Sequence, residues 1–359
     1  MSFFTDLFKK KEKTPVRQTP KTRADLESTL FVRYEEQGLN SAFTKSRTPQ
    51  PEEQNRLKEV LDIIESVPEG KKLIESVATA GYKINFDTFR GASAGACNPS
   101  EKRIMLCPAN HSSDAAIAAS LYHEMTHAMQ NERSGGMLAD CSKYAIADQI
   151  KFLRAAEASA WMEEAKFAYQ IKDSHPEVLR HVGDVPMYKA FAAEMGRSND
   201  TAKASEVAFK DWYGFKLYQA GYEDQHVSII KNRARDRLKK QDNKAFKETL
   251  SPAEALKFTV LSDDVKISPD FLTSPEAFSI SADGAKALNA VAKGYSSKFM
   301  FATKDNSVQS MYSYDTGKPF SAAANSANKP TLMSSLTTIS KQQTTKKQAM
   351  VSAVQNKTR

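Results

Sequence analysis

Apolar residues recur at helical spacing from position 52 onward. Over 52–67, Leu57, Val60, Leu61, Ile63 and Ile64 share one face, which predicts a helix. A shorter helix is predicted over 70–80, and Gly81 breaks the pattern. Ile84, Phe86 and Phe89 then predict a strand over 82–89. Residues 96–100 (Ala-Cys-Asn-Pro-Ser) read as a strand end and turn, and residues 103–107 as the returning strand, stopped by Pro108. From 113 to 239 the period is helical almost throughout. Helices are predicted over 113–133, 142–172, 186–195, 203–220 and 225–240, with shorter ones over 252–260 and 284–293. The fold class is therefore α+β, mostly helical, with a small N-terminal sheet or hairpin ahead of a helical bundle.

The ends read differently. Residues 9–55 are rich in Lys, Thr, Pro and Gln, and past about 295 the chain turns to Ser, Thr, Ala, Asn, Gln and Lys. Such composition buries too little apolar surface to order itself. The expected division is a flexible basic segment over 1–50, one domain over 51–295 and a basic, unstructured tail over 296–359, with one short helix near 26–36. Phe3, Phe4, Leu7 and Phe8 stand at helical spacing ahead of lysines. That fits a short docking helix or a frayed terminus, and not a signal peptide, since the charges follow the apolar part.

Charge changes the picture once it is placed. The 359 residues carry a net +8, but residues 1–23 hold seven Lys/Arg against two acids, and residues 316–359 hold seven against none. The body between is mildly acidic, so a nucleic-acid groove on the folded part is not expected. Contact with a membrane surface or a partner is left to the basic ends. No apolar run reaches the ~20 residues of a membrane span. Cys97, Cys107 and Cys141 are too few for a disulfide framework and have no CxxC spacing; a Cys97–Cys107 bridge is conceivable only in an oxidising compartment. These features point to a soluble, cytoplasmic protein, with specialised secretion as an alternative.

Residues 112–136 carry the chemistry. Ser112 or Ser113 caps a helix, Asp114 suits its positive end, and Gly135-Gly136 supply a left-handed exit. Between them lies His123-Glu124-Met125-Thr126-His127, an HExxH motif. Residues four apart share a helix face with Cβ atoms roughly 5–6 Å apart, so both imidazoles reach one ion. Glu124 lies about 100° around the axis, beside such an ion, where it takes a proton from the metal-bound water. The neighbours Ile117, Leu121, Met125, Ala128 and Met129 are apolar, so the helix is expected to be buried. A catalytic zinc takes three protein ligands and an open position. Glu157, among Ala155, Ala156, Ala158 and Ala160 on the next predicted helix, is the preferred third ligand. Glu163, Glu164, Asp140 and Asp148 are alternatives.

The order strand–turn–strand–HExxH helix–Glu helix resembles the zincin metallopeptidases, in the gluzincin branch. It looks closest to uncharacterised bacterial domains classed as metallopeptidases. The resemblance covers residues 80–170 well and the rest poorly. It implies one catalytic Zn2+ held by His123, His127 and Glu157, with Glu124 as base and a peptide or protein as substrate. It also implies an edge strand beside the motif helix that pairs with the substrate backbone, a role that falls here to residues 103–107. No metzincin extension is present, because Gln130 stands three residues after His127. Many gluzincins place an Asp four residues after the ligand Glu to orient a histidine; here that position is Trp161. An oxyanion stabiliser is unassigned, with His226, Tyr218 and Tyr222 as candidates. His111, His175 and His181 read as surface residues in loops. The competing function is a catalytically inactive, zincin-like interaction scaffold, possibly delivered from a bacterium as an effector, since the second shell around the metal looks incomplete.

Overall fold

The computed structural model describes residues 22–37, 42–87, 94–240, 245–246, 248–294 and 312–313. The chain runs through helix α1 (Arg23–Glu27), strands β1 (Phe31–Gln37) and β2 (Ala42–Arg47), helices α2 (Pro51–Glu65) and α3 (Pro68–Thr79), and strands β3 (Lys83–Asp87), β4 (Gly95–Asn98) and β5 (Arg103–Leu106). Helices α4 (Asp114–Arg133), α5 (Ile146–Ile171), α6 (Leu179–Val182), α7 (Pro186–Ser198), α8 (Thr201–Gly214), α9 (Lys216–Lys239) and α10 (Pro252–Thr259) follow. Strand β6 (Ser279–Ile280), helix α11 (Ala282–Gly294) and strand β7 (Tyr312–Ser313) complete the described elements. The protein is thus α+β and mostly helical.

The five-stranded sheet has the order β2-β1-β3-β5-β4. β3 is parallel to both β1 and β5, while β2 and β4 are antiparallel and form the two edges. Ile84 pairs with Ile104 and Phe86 with Leu106; all four are buried on the face that meets the helices. This register corrects one expectation. Residues 103–106 form an inner strand, and the edge beside α4 is β4. A second correction concerns the N-terminal segment: its described residues, 22–37 and 42–50, are built into the fold. Thr22 caps α1 through a capping box with Asp25, and Leu26 is buried. The helix foreseen near 26–36 gives way to β1, where buried Val32 pairs with Phe86. The docking helix foreseen at the extreme N-terminus lies outside the described residues. So does the expected tail, apart from β7, which pairs with β6.

Helix α4 starts where Ser113 accepts a hydrogen bond from the amide of Ala116 at 3.2 Å, with Asp114 in its first turn. It ends at Gly135 and Gly136, with φ of 66° and 95°, as the Gly136 amide donates to the Asn131 carbonyl at 2.8 Å. Between these ends α4 is buried almost all round, wedged among the sheet, α2, α3 and α5. α5 is also largely buried, against α4, α7, α8 and α10. Small residues make this close approach feasible: Ala155, Ala156, Ala158 and Ala160 are all buried. A second apolar cluster joins Ile146 and Ile150 of α5 to Val227 and Ile230 of α9 and Leu288 of α11. Beneath it Arg154 reaches Glu223 at 3.4 Å, fixing α9 beside the middle of α5. The expected break between the last long helices falls at Phe215, so α9 begins earlier than its apolar pattern predicts.

Candidate metal centre

His123 and His127 project from one face of α4 toward Glu157 of α5. The two Nε2 atoms lie 3.1 Å apart. Glu157 Oε2 is 3.8 Å from His123 Nε2 and 3.5 Å from His127 Nε2. Among the described residues these three form the one group with metal-ligand chemistry, its donor atoms all within 4.8 Å of one another. Donors on a tetrahedron with bonds of ~2.1 Å stand about 3.4 Å apart. The observed edges bracket that value, so a zinc-sized ion fits between them. The side chains are 8%, 11% and 14% exposed, so the cluster is sheltered yet reachable by solvent.

Both rings are fixed from behind. His123 Nδ1 donates to Glu164 Oε2 at 3.0 Å, and His127 Nδ1 donates to Gln130 Oε1 at 2.8 Å. Once its second proton is given up, each ring presents the Nε2 lone pair to the cluster. Burial lowers the His123 pKa, but Glu157 and Glu164 more than reverse that and raise it to about 10. Burial likewise opposes ionisation of Glu157, and the two imidazoles outweigh it and hold its pKa low.

Glu124 points away from this face, toward the edge strand. A Cβ built on Gly95 of β4 would stand 3.0 Å from Glu124 Cγ and 3.2 Å from Oε1. Burial pushes the Glu124 pKa above the usual carboxylate value, countered in part by His123 and His127.

Helix α9 brings up Tyr222 and His226. The Tyr222 hydroxyl accepts from Trp161 Nε1 at 2.9 Å. Burial, with the Glu157 charge adding to it, raises its pKa so that it stays protonated. His226 is 1% exposed, its Nδ1 has no hydrogen-bond partner among the described residues, and burial lowers its pKa to about 3. Its ring centroid lies 6.0 Å from that of Tyr222. Tyr218 lies in the first turn of α9, but its side chain is outside the described residues.

The alternative ligands are engaged elsewhere. Glu163 accepts from Ser262 at 2.6 Å, Asp148 pairs with Lys151 at 2.9 Å, and Asp140 pairs with Arg237. Glu164 stands behind His123 rather than in the cluster. His111 and His181, expected on the surface, take part in the hydrogen bonding behind Glu164. The three cysteines are free thiols. The sequence reading passed over Glu164 and Gln130 as partners of the histidines. Their signals were Gln130 three residues past His127, and Glu164 seven past Glu157, two helical turns along the same face.

A family described as "Putative metallopeptidase family" matches residues 33–255. No curated protein and no solved structure matches the chain.

Proposed function

The chain belongs to that metallopeptidase family, and on this premise we propose that it is a zinc-dependent peptidase of the HExxH, gluzincin-like type. Family membership carries the coarser part: a metal-dependent peptidase acting on a peptide or protein. The finer reading rests on one observation, the convergence of His123 Nε2, His127 Nε2 and Glu157 Oε2 within a single ion's reach.

In this reading His123, His127 and Glu157 hold one zinc. When bound there, zinc polarises the scissile carbonyl and lowers the pKa of water. Glu124 takes the proton of the attacking water and passes it to the leaving amine. Its raised pKa suits that exchange, because an acid–base catalyst works best with a pKa near the working pH. The substrate backbone lies along β4, the edge strand against Glu124, and adds a strand to the sheet. Tyr222 and its neighbour on α9, His226, serve in this reading as neutral hydrogen-bond donors for the oxyanion, and Tyr218 is a third candidate from the same helix. The catalytic unit extends from Thr22 to Gly294, enlarging the 51–295 domain by the sheet's N-terminal strands.

An inactive scaffold would leave the two histidines without partners behind their rings. Glu164 and Gln130 fill that place, so the peptidase reading is the better supported. The test is Glu124→Gln: zinc content stays at one per chain, and hydrolysis of a peptide library falls about 10²–10⁴-fold. Undiminished hydrolysis by the zinc-loaded variant would refute the assignment.

A further inference from the structure

Behind His123 lies a chain of hydrogen bonds whose donors and acceptors can all be assigned. His111 Nδ1 is 2.9 Å from the Cys107 carbonyl, which only accepts, so Nδ1 carries the proton. His111 Nε2 therefore accepts, and Ser120 Oγ donates to it at 2.8 Å. The Ser120 oxygen is left to accept from His181 Nε2 at 3.2 Å. The same His181 N–H reaches Glu164 Oε1, also at 3.2 Å. Glu164 Oε2 is then the acceptor for His123 Nδ1. Every link runs one way, and both oxygens of Glu164 are held. His127 has a separate anchor. Gln130 donates from Nε2 to the carbonyls of Ala156 at 3.0 Å and Thr259 at 2.9 Å. With both amide protons engaged, its Oε1 must face His127.

The position four residues after Glu157 does not supply this support. Trp161 stands there with its ring edge-on to His123, 5.0 Å between centroids, and gives its N–H to Tyr222. Glu164, nearly one further turn along α5, reaches around that ring.

We infer that Glu164 is the positioning residue of His123, held in register by the His181–Ser120–His111 chain, and that it sets the strength and geometry of cation binding at the centre. This inference rests on the metal-centre reading above. An anchoring carboxylate fixes the imidazole orientation and raises its basicity. Glu164 and Glu157 together also bring two negative charges to a sheltered site that takes a divalent cation.

The experiment uses the full chain stripped of metal and titrated with Zn2+ against a chromophoric chelator, and with Co2+ while its visible absorption is recorded. Glu164→Gln keeps the shape and removes the charge. It is expected to weaken Zn2+ binding about 10- to 100-fold and to alter the Co2+ bands. Glu248→Gln, which alters an exposed carboxylate paired with Lys143, is expected to leave both unchanged. A side chain that only supports the fold would change the amount of folded protein but not the Co2+ spectrum of the folded fraction. Should Glu164→Gln fail to fold, His181→Phe removes only the outer anchor and is expected to weaken Zn2+ binding in the same direction by a smaller factor. Affinity within about twofold of the parent, with an unchanged spectrum, overturns the positioning role and leaves the metal centre standing. A parent chain that binds neither ion overturns both.

Discussion

His123 and His127 each commit one nitrogen to the protein and leave the other for a ligand. That division explains why His123 carries a pKa of about 10: two carboxylates hold a proton on the ring more strongly than burial removes it. A cation entering between the imidazoles must displace that proton, so binding and deprotonation are linked. Below pH 10 the apparent Zn2+ affinity should therefore rise with pH, by about tenfold per unit for each proton released. Titrations at pH 6, 7 and 8 read this directly, and a flat profile would contradict the assignment of His123 as a ligand. Spacing alone placed His123, Glu124 and His127 on one turn of helix. It could not reveal the chain through His181, Ser120 and His111, because His181 meets Ser120 and Glu164 only through the packing of α6 against α4 and α5.

At the level of elements, the proposed mechanism has a substrate backbone meet Glu124 where α4 packs on β4. At Gly95 a Cβ would press on the Glu124 side chain, which must shift to admit it. Gly95→Ala is expected to lower kcat several-fold while leaving the zinc content at one per chain. Equal activity in the variant would show that the strand has room to spare. The caps of α4 were legible because Ser113, Asp114, Gly135 and Gly136 act locally. The identity of the edge strand was not, since Ile104 and Leu106 alternate in the same way on an inner or an outer strand. Strands β1 and β2 were missed for a related reason. Arg33, Glu35, Glu36, Lys45 and Arg47 give them a polar composition, and the apolar anchor at Val32 gains its meaning only from its partner Phe86.

Across the molecule, the three proposed ligands come from two helices, each buried against several others. No described helix is long and apolar enough to cross a membrane. An ion shared by α4 and α5 binds the folded chain and not the unfolded one, so it stabilises the fold by mass action. Zinc at a hundred times its Kd adds about 2.7 kcal/mol. For a domain of this size that raises Tm by about 5–10 °C. Calorimetry of chelator-treated protein with and without added Zn2+ measures the difference, and coincident transitions would argue that no ion bridges the helices. The helical body and the motif were legible because periodicity and spacing are carried by neighbouring residues. The approach of α9, through Arg154 and Glu223 across 69 positions, was not.

The most direct measurement is anomalous diffraction from crystals of the zinc-loaded protein at the zinc absorption edge. The account predicts one strong peak per chain, ~2.0–2.2 Å from His123 Nε2, His127 Nε2 and a Glu157 carboxylate oxygen, with Glu164 outside bonding distance. A peak elsewhere, or none in fully loaded crystals, would contradict it.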